Sequence, residues 1–323
     1  MAILVTGGAG YIGSHVVLAL LEGGEVVVVL DNLSTGFRRL VPDAATFVLG
    51  DVGDNDLLNR LITTHQIDAI MHFAGSVVVP ESVANPLAYY FNNTVKSHAL
   101  IQAALRNDIR NFIFSSSAAV YGTPVSNPVN EDAALRPISP YGSSKLMTEV
   151  MLADVSRSSD LRYVFLRYFN VAGADPRGRS GQCSQVATHL IKVACQVAHG
   201  RRPQLEIFGV DYPTPDGTCI RDYIHVSDLA QAHLSALSWL REGSESLVVN
   251  CGYGRGYSVL EVADAMKRVS GTDFKVVISP PRAGDPPCLV ASADLMSQTL
   301  GWLPQFDDLD IIANHALAWE RTL

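Results

Sequence analysis

The chain has 323 residues, 48% of them hydrophobic and 17% charged, with 24 Lys and Arg against 32 Asp and Glu for a formal net charge of −8. This is the composition of a globular protein with a full apolar core, near the size at which one core divides in two. An acidic chain without clustered Lys or Arg is unsuited to nucleic acid, and no apolar run reaches the roughly 18 residues a membrane-spanning helix needs. Cys183, Cys195, Cys219, Cys251 and Cys288 are scattered and form no C-x-x-C, which reads as a reduced, cytoplasmic chain. The histidines form no H-E-x-x-H, so no metal site is expected. The chain opens on a strand directly after Met1, without a basic leader, so no signal peptide is expected.

Along the chain, β-branched apolar runs alternate with helical patterns. Strands are expected at Ile3–Thr6, Val26–Leu30, Thr46–Leu49, Ala69–His72, Phe112–Ser115 and Tyr163–Arg167. Helices are expected near Ile12–Glu22, Asp54–His65, Leu87–Asn107 and Ser143–Ser156. Continuous apolar strands are buried on both faces, and their alternation with helices implies a parallel sheet with right-handed crossovers. After Gly173 the alternation breaks. A helix near Ser184–His199, a strand Leu205–Phe208, a helix Val226–Leu240, a strand Leu247–Asn250 and helices Leu260–Val269 and Leu309–Trp319 follow. Pro280, Pro281, Pro286 and Pro287 stiffen the loop between the last two helices. The fold class is α/β: a doubly wound, Rossmann-type parallel sheet with a smaller, interleaved C-terminal α/β domain. Residues 1–170 with about 220–250 would form the dinucleotide domain, and 171–219 with 251–323 the smaller one.

Gly7-Gly8-Ala9-Gly10-Tyr11-Ile12-Gly13 follows the first strand and opens the first helix. Glycine permits a tight turn and close backbone approach, and the helix N-terminus offers N–H groups to a pyrophosphate. Asp31 ends the second strand, where a carboxylate binds a ribose diol and repels a 2′-phosphate, favouring NAD over NADP. Asp51 and Phe73-Ala74-Gly75 follow the third and fourth strands, beside the adenine and the ribose–pyrophosphate stretch; a helix cap is the plainer reading of Asp51.

Tyr141 and Lys145 are four apart, on one face of a helix. A phenol near pKa 10 is a poor base at neutral pH, and a cation one turn away favours its phenolate. Ser117 follows the fifth strand, where its hydroxyl can share a hydrogen bond with a substrate oxygen losing its proton. A Tyr–Lys pair at this spacing is usually a solvated helix face. The dinucleotide fingerprint and the strand-end serine that precede it reverse that reading.

Together these motifs identify the chain as similar to the extended short-chain dehydrogenase/reductase family and, within it, to the UDP-hexose 4-epimerases. The resemblance runs over essentially the whole chain. Beyond the glycine loop it rests on Phe112-Ile113-Phe114-Ser115-Ser116-Ser117-Ala118-Ala119-Val120-Tyr121-Gly122 and Leu166-Arg167-Tyr168-Phe169-Asn170-Val171-Ala172-Gly173. Most specific is Asp216-Gly217-Thr218-Cys219-Ile220-Arg221-Asp222-Tyr223-Ile224-His225-Val226. The resemblance implies a redox-neutral inversion at C4 of a UDP-hexose, UDP-glucose or UDP-galactose, with NAD kept through turnover. Tyr141 would take the hydroxyl proton, with Lys145 and Ser117 as its catalytic partners.

The cofactor-binding set it implies is Gly7, Gly10, Tyr11, Ile12, Gly13, Asp31, Asn32, Ser34, Thr35, Gly36, Asp51, Val52, Phe73, Ala74, Gly75, Asn92, Ser115, Tyr141, Lys145 and Tyr168. On the substrate side, Asn170, Arg221 and Arg282 would meet the diphosphate, Phe208 the uracil and Asp285 the uridine ribose. Ser117, Tyr141, Phe169, His189, Leu190 and Leu289 complete that set. Family members are usually homodimers through two long helices per subunit, here Leu87–Asn107 and Ser143–Ser156.

Three positions depart from the family pattern. Val77 stands where many relatives carry a cofactor-contacting lysine, and His189 where many carry asparagine. Leu289 occupies a size gate, bulky in relatives that exclude N-acetylated sugars and small in those that admit them. Its intermediate volume implies preference for UDP-glucose and UDP-galactose. Nucleotide-sugar dehydratases of the same fold need an acid–base pair after the serine, and Ala118-Ala119 cannot move a proton. Epimerases of UDP-glucuronate or UDP-pentoses remain open alternatives. A non-catalytic NAD sensor would typically lack Tyr141 or Lys145.

Overall fold

A computed structural model describes residues 1–184, 188–282 and 285–323. Its centre is a seven-stranded, all-parallel sheet. In chain order the strands are β1 (Ala2–Thr6), β2 (Val27–Asp31), β3 (Thr46–Leu49), β4 (Ile67–His72), β5 (Asn111–Ser115), β6 (Arg162–Tyr168) and, from far along the chain, β10 (Leu247–Cys251). Their spatial order is β10-β6-β5-β4-β1-β2-β3. The order reverses at β1, which pairs with β2 on one side and β4 on the other, and ligands bind at the carboxyl ends beside such a switch.

Side chains alternate across each strand, so β1 sends Ile3 and Val5 to one face and Leu4 to the other. On the first face they meet Val16, Val17 and Leu20 of α1 (Tyr11–Glu22) and Leu229 and Leu237 of a later helix, Val226–Arg241. The second face is covered by α2 (Asn55–His65), a helix over Lys96–Arg106 and another over Pro140–Ser156, through Leu58, Leu100 and Leu152. The doubly wound expectation therefore holds.

Several boundaries differ from the sequence reading. The second strand is displaced to Val27–Asp31, leaving Val26 61% exposed outside it. A short helix, α3 (Val79–Ala84), precedes the expected Leu87–Asn107 helix. That helix is interrupted: α4 (Pro86–Tyr89) runs into a π-helical turn over Tyr90–Val95 and then α5 (Lys96–Arg106). The catalytic helix, α6 (Pro140–Ser156), begins earlier than Ser143. Ser139 caps it by accepting the Gly142 N–H at 3.2 Å, and Pro140 fits the first turn.

The expected Ser184–His199 helix is shorter, α7 (Leu190–Ala198), with His189 as its N-cap; residues 185–187 lie outside those described. The chain continues through α8 (Val226–Arg241), α9 (Val259–Ser270), α10 (Asp294–Leu300) and α11 (Leu309–Glu320). Small strands complete the fold: β7 (Asn170–Ala172), β8 (Leu205–Phe208), β9 (Ile220–His225), β11 (Gly256–Ser258), β12 (Val276–Ser279) and β13 (Cys288–Leu289). β9 is paired by β7, β11 and β13, while β12 pairs with β8. Ile191, Ala194, Val262, Met266, Ile312 and Leu317 give α7, α9 and α11 their own apolar cluster. Among the described residues no helix is long and apolar enough to cross a membrane.

Candidate active site

The turn after β1 is made by glycines, two of which leave no space for a Cβ. Gly7 has φ +72°, and a Cβ there would lie 2.6 Å from Ala74 N; one on Gly13 would lie 2.3 Å from Gly7 O. α1 starts at Gly10 with no side-chain cap and no acid in its first turn, which leaves its N-terminus open to an anion. Tyr11 donates to the Gly173 carbonyl at 2.7 Å, latching this helix to the loop after β7, and Ile12 packs on the core.

Asp31 accepts the N–H groups of Ala9 at 2.9 Å and Leu33 at 2.8 Å, so it is fixed at the mouth of the turn. Gly36 is packed against it, where a Cβ would meet Asp31 Oδ1 at 3.0 Å. Asn32 donates to Asp51 Oδ2 at 3.0 Å, while Ser34 and Thr35 lie exposed at the rim. Asp51 also accepts from Lys96 Nζ at 2.6 Å and from Gly53 N–H at 2.8 Å. Partial burial raises the Asp51 carboxyl, but these bonds outweigh it and hold it below its ordinary value. Val52 is buried against the second apolar face.

Phe73, Ala74 and Gly75 follow β4, with Phe73 N–H bonded to Thr6 O at 3.0 Å. Asn92 donates to Ser76 Oγ at 2.9 Å. Its neighbour Asn93, absent from the sequence reading, is the deeper clamp. Asn93 Oδ1 accepts the Ser76 N–H at 2.7 Å, and its Nδ2 donates to Ser76 O and Ser144 Oγ, both at 3.0 Å. It thereby ties the loop after β4 to α6, and the π-helical turn is what brings Asn92 and Asn93 both onto Ser76. Two consecutive amides inside an apolar helix were the available signal.

On α6, Tyr141, Lys145 and Glu149 repeat every fourth residue and are all buried. Lys145 Nζ donates to the Ser115 carbonyl at 2.9 Å and lies 4.9 Å from the centre of the Phe114 ring. Burial pulls its pKa down to about 8, against the opposing charge of Glu149. Ser117 caps the short turn Ala118–Val120, its Oγ accepting the Ala119 N–H at 3.2 Å, and its hydroxyl lies near the Tyr141 phenol. Burial raises the Tyr141 pKa and the Ser117 hydroxyl lowers it. Ser117 is thus one neighbour that favours the phenolate. Tyr168, at the end of β6, is raised by burial and then by Tyr141 beside it.

β9 gathers the substrate-side candidates. Its Arg221 is in register with Leu289 of β13, and its Tyr223 with Asn170 of β7. Arg221 lies 3.8 Å from Asp285 and donates to the Ile220 carbonyl at 2.9 Å. Leu289 and Phe169 share one apolar cluster with Ala118, Val120 and Tyr121, next to the turn Ser117 caps. The Arg282 guanidinium stacks 3.8 Å from the Phe208 ring centre. His189 is bonded to Gln182 at 2.9 Å, and with Asn170, Leu190, Lys192 and Tyr223 it lines one cavity. Val77 is half exposed.

Residues in this chain fit a dinucleotide. Ser115 Oγ is buried at the end of β5 with no hydrogen-bond partner among the described residues, and the glycines let the turn pack closer to the loop after β4 than any Cβ would allow.

Comparison with known proteins agrees with this geometry. The model of the NAD dependent epimerase/dehydratase family matches residues 3–252. The UDP-glucose 4-epimerase of Azospirillum brasilense is 59% identical over 321 residues, 99% of this chain and 92% of its own length. The crystal structure of UDP-glucose 4-epimerase from Brucella ovis in complex with NAD superposes with a TM-score of 0.95 at 45% identity, covering 98% of this chain and 97% of that one. That from Bifidobacterium longum, in complex with NAD+ and UDP, gives a TM-score of 0.95 at 37% identity, covering 100% of this chain and 98% of the other. The matched region takes in the glycine turn, all seven strands of the large sheet and the Ser117–Tyr141–Lys145 cluster, and this chain belongs to the NAD dependent epimerase/dehydratase family.

Proposed function

We propose that this chain is an isomerase that interconverts UDP-glucose and UDP-galactose at C4 on bound NAD, with Tyr141, Ser117 and Lys145 handling the proton. The observation that carries the residue roles is the convergence of these three buried side chains at the ends of β5 and α6, beside an uncapped glycine-rich helix start. When bound, NAD supplies reversible two-electron chemistry, removing hydride from C4 and returning it to the opposite face.

The chain's own residues do the rest. Gly7, Gly10 and Gly13 let the backbone approach the pyrophosphate, and Asp31 presents its carboxylate to a ribose diol. Ser117 orients the 4-hydroxyl, and Tyr141 takes its proton and later returns it. Lys145, still an ammonium below about pH 8, makes the site favour the negatively charged form of Tyr141. Arg221 and Arg282 offer fork-shaped donors to the diphosphate, with Phe208 and Asp285 at the uridine end. Holding the nucleotide while leaving the hexose free to turn is what inversion requires. Leu289, in one apolar cluster with Phe169, narrows the sugar end, which supports UDP-glucose and UDP-galactose over N-acetylated sugars.

The assembly in this reading is a homodimer. Leu87, Phe91 and Val95 form an exposed stripe at four-residue spacing, and Met147 and Val150 are exposed on α6, where Met147 meets Thr94. Exposed apolar side chains gathered on two neighbouring helices suit a protein interface. The five free cysteines support a reducing, cytoplasmic setting. The test is to assay purified protein on UDP-galactose without added NAD. Formation of UDP-glucose, with NAD released on denaturation, is expected; a strict need for added oxidant would overturn the reading.

A further inference from the structure

Glu149 lies one turn beyond Lys145 on α6 and is buried, as are both its partners. Its Oε1 accepts from Ser116 Oγ at 2.5 Å and from Arg167 Nε at 3.0 Å, and its Oε2 from Arg167 Nη2 at 2.7 Å. Ser116 stands between Ser115, whose carbonyl receives Lys145, and Ser117, whose hydroxyl lies near Tyr141. Arg167 Nη1 reaches Tyr121 Oη at 3.0 Å and the Glu131 carbonyl at 3.2 Å, and Tyr121 donates to Asn250 at 2.7 Å. One buried bidentate pair thus joins the ends of β5, β6 and β10 to the helix bearing Tyr141 and Lys145. Such a pair is costly to desolvate and is a weak source of stability, which directs attention to what it positions.

We propose that Glu149 is a positioning residue for the reaction: it holds the Ser115–Ser117 segment against α6 and supplies the negative charge that keeps Lys145 an ammonium. This rests on the reading of Tyr141 and Lys145 as the proton-handling pair. The groups around Lys145 leave that task to Glu149. On α6 its other titratable neighbour is Tyr141. β4 contributes His72, bonded to Thr6 and Ser97 and kept neutral by burial and by the Lys145 charge, with a pKa near 3. β5 contributes only the Ser115 carbonyl and the Phe114 ring, and β6 contributes Tyr168 and Arg167, the latter already paired with Glu149. Burial drives Lys145 down to about 8, and Glu149 opposes that descent.

Two variants separate placement from charge. Ser116→Ala cuts the tie to β5 without changing any charge, and Glu149→Gln removes the charge while leaving Ser116 an acceptor. In both, kcat is expected to fall about tenfold or more, with KM for UDP-galactose within about twofold of the wild type. In Glu149→Gln the alkaline limb of kcat moves to lower pH. The Lys145 signal in ε-13C-lysine NMR, assigned with Lys145→Met, also titrates at lower pH; Ser116→Ala and Glu149→Asp leave that titration in place. An unchanged Lys145 titration in Glu149→Gln, or a Ser116→Ala kcat within about twofold of wild type, overturns the proposal. Should Glu149→Gln fail to fold, the Ser116→Ala rate and the Glu149→Asp titration decide. Full turnover in Tyr141→Phe would sink the underlying reading instead, while the NMR titration still tests Glu149.

Discussion

Lys145 Nζ sits 2.9 Å from the carbonyl oxygen of Ser115, so the buried ammonium one turn from Tyr141 is held by the main chain at the end of the strand that leads to Ser117. Its pKa of about 8 compares with an ordinary 10.5. Between those values the unfolded chain binds more protons than the folded one, so this group's contribution to stability rises with pH across that window. Below pH 8 the fold carries the full cost of a buried charge. Lys145→Met should therefore raise the thermal midpoint at pH 7 while lowering kcat by about 100-fold or more. Calorimetry and an epimerase assay on the same preparation check both signs; a lower midpoint with intact turnover would contradict the assignment.

The same value sets an alkaline limit. If catalysis needs Lys145 charged, kcat/KM falls as pH rises through about 8, the value for the free enzyme. A profile of kcat/KM for UDP-galactose against pH measures it, and a flat profile to pH 10 would show that the ammonium is dispensable.

Gly13→Ala places a methyl group 2.3 Å from Gly7 O, a backbone atom that cannot step aside without opening the turn. The variant is expected to lose about 1–3 kcal/mol of stability and most of its bound NAD. Denaturant unfolding and NAD released by acid measure the two losses. Retention of stoichiometric NAD would mean that the turn does not seat the pyrophosphate.

Leu289 is buried in the cluster that includes Phe169 and the turn capped by Ser117. UDP-N-acetylglucosamine is expected to turn over at about 10–200-fold lower kcat/KM than UDP-glucose, the range one pocket contact supplies. Leu289→Tyr should abolish what remains. A coupled assay across UDP-glucose, UDP-N-acetylglucosamine, UDP-xylose and UDP-glucuronate checks it, and comparable rates on the N-acetylated sugar would remove Leu289 from the gate.

Phe91 is 58% exposed at the centre of the Leu87–Phe91–Val95 stripe. Phe91→Glu is expected to convert a dimer into monomers, read by light scattering at micromolar concentration. A monomeric unsubstituted protein would end the homodimer proposal.

The parallel sheet was legible because Ile3–Thr6 and Phe112–Ser115 are continuous apolar runs, as strands buried on both faces must be. Tyr141 and Lys145 were legible through their helical spacing taken with the glycine fingerprint and the strand-end Ser117 that precede them. The start of their helix carried its own signal in Ser139-Pro140, a cap followed by a proline that the apolar pattern from Ser143 obscured. The π-helical turn was hidden because Asn93 needs Ser76 and Ser144 to explain it, and neither is near in sequence. β7, β11 and β13 have two or three residues each and are too short for a period to register. The partner of Lys145 is a carbonyl oxygen, which every residue possesses and no side-chain pattern reveals.

The most direct test of the central claim is Tyr141→Phe, which removes one oxygen from a buried ring and leaves its packing in place. NAD is expected to stay bound and the fold to be unchanged, while kcat on UDP-galactose drops by about 100- to 10,000-fold. A kcat within about tenfold of the unsubstituted protein would show that another group moves the proton.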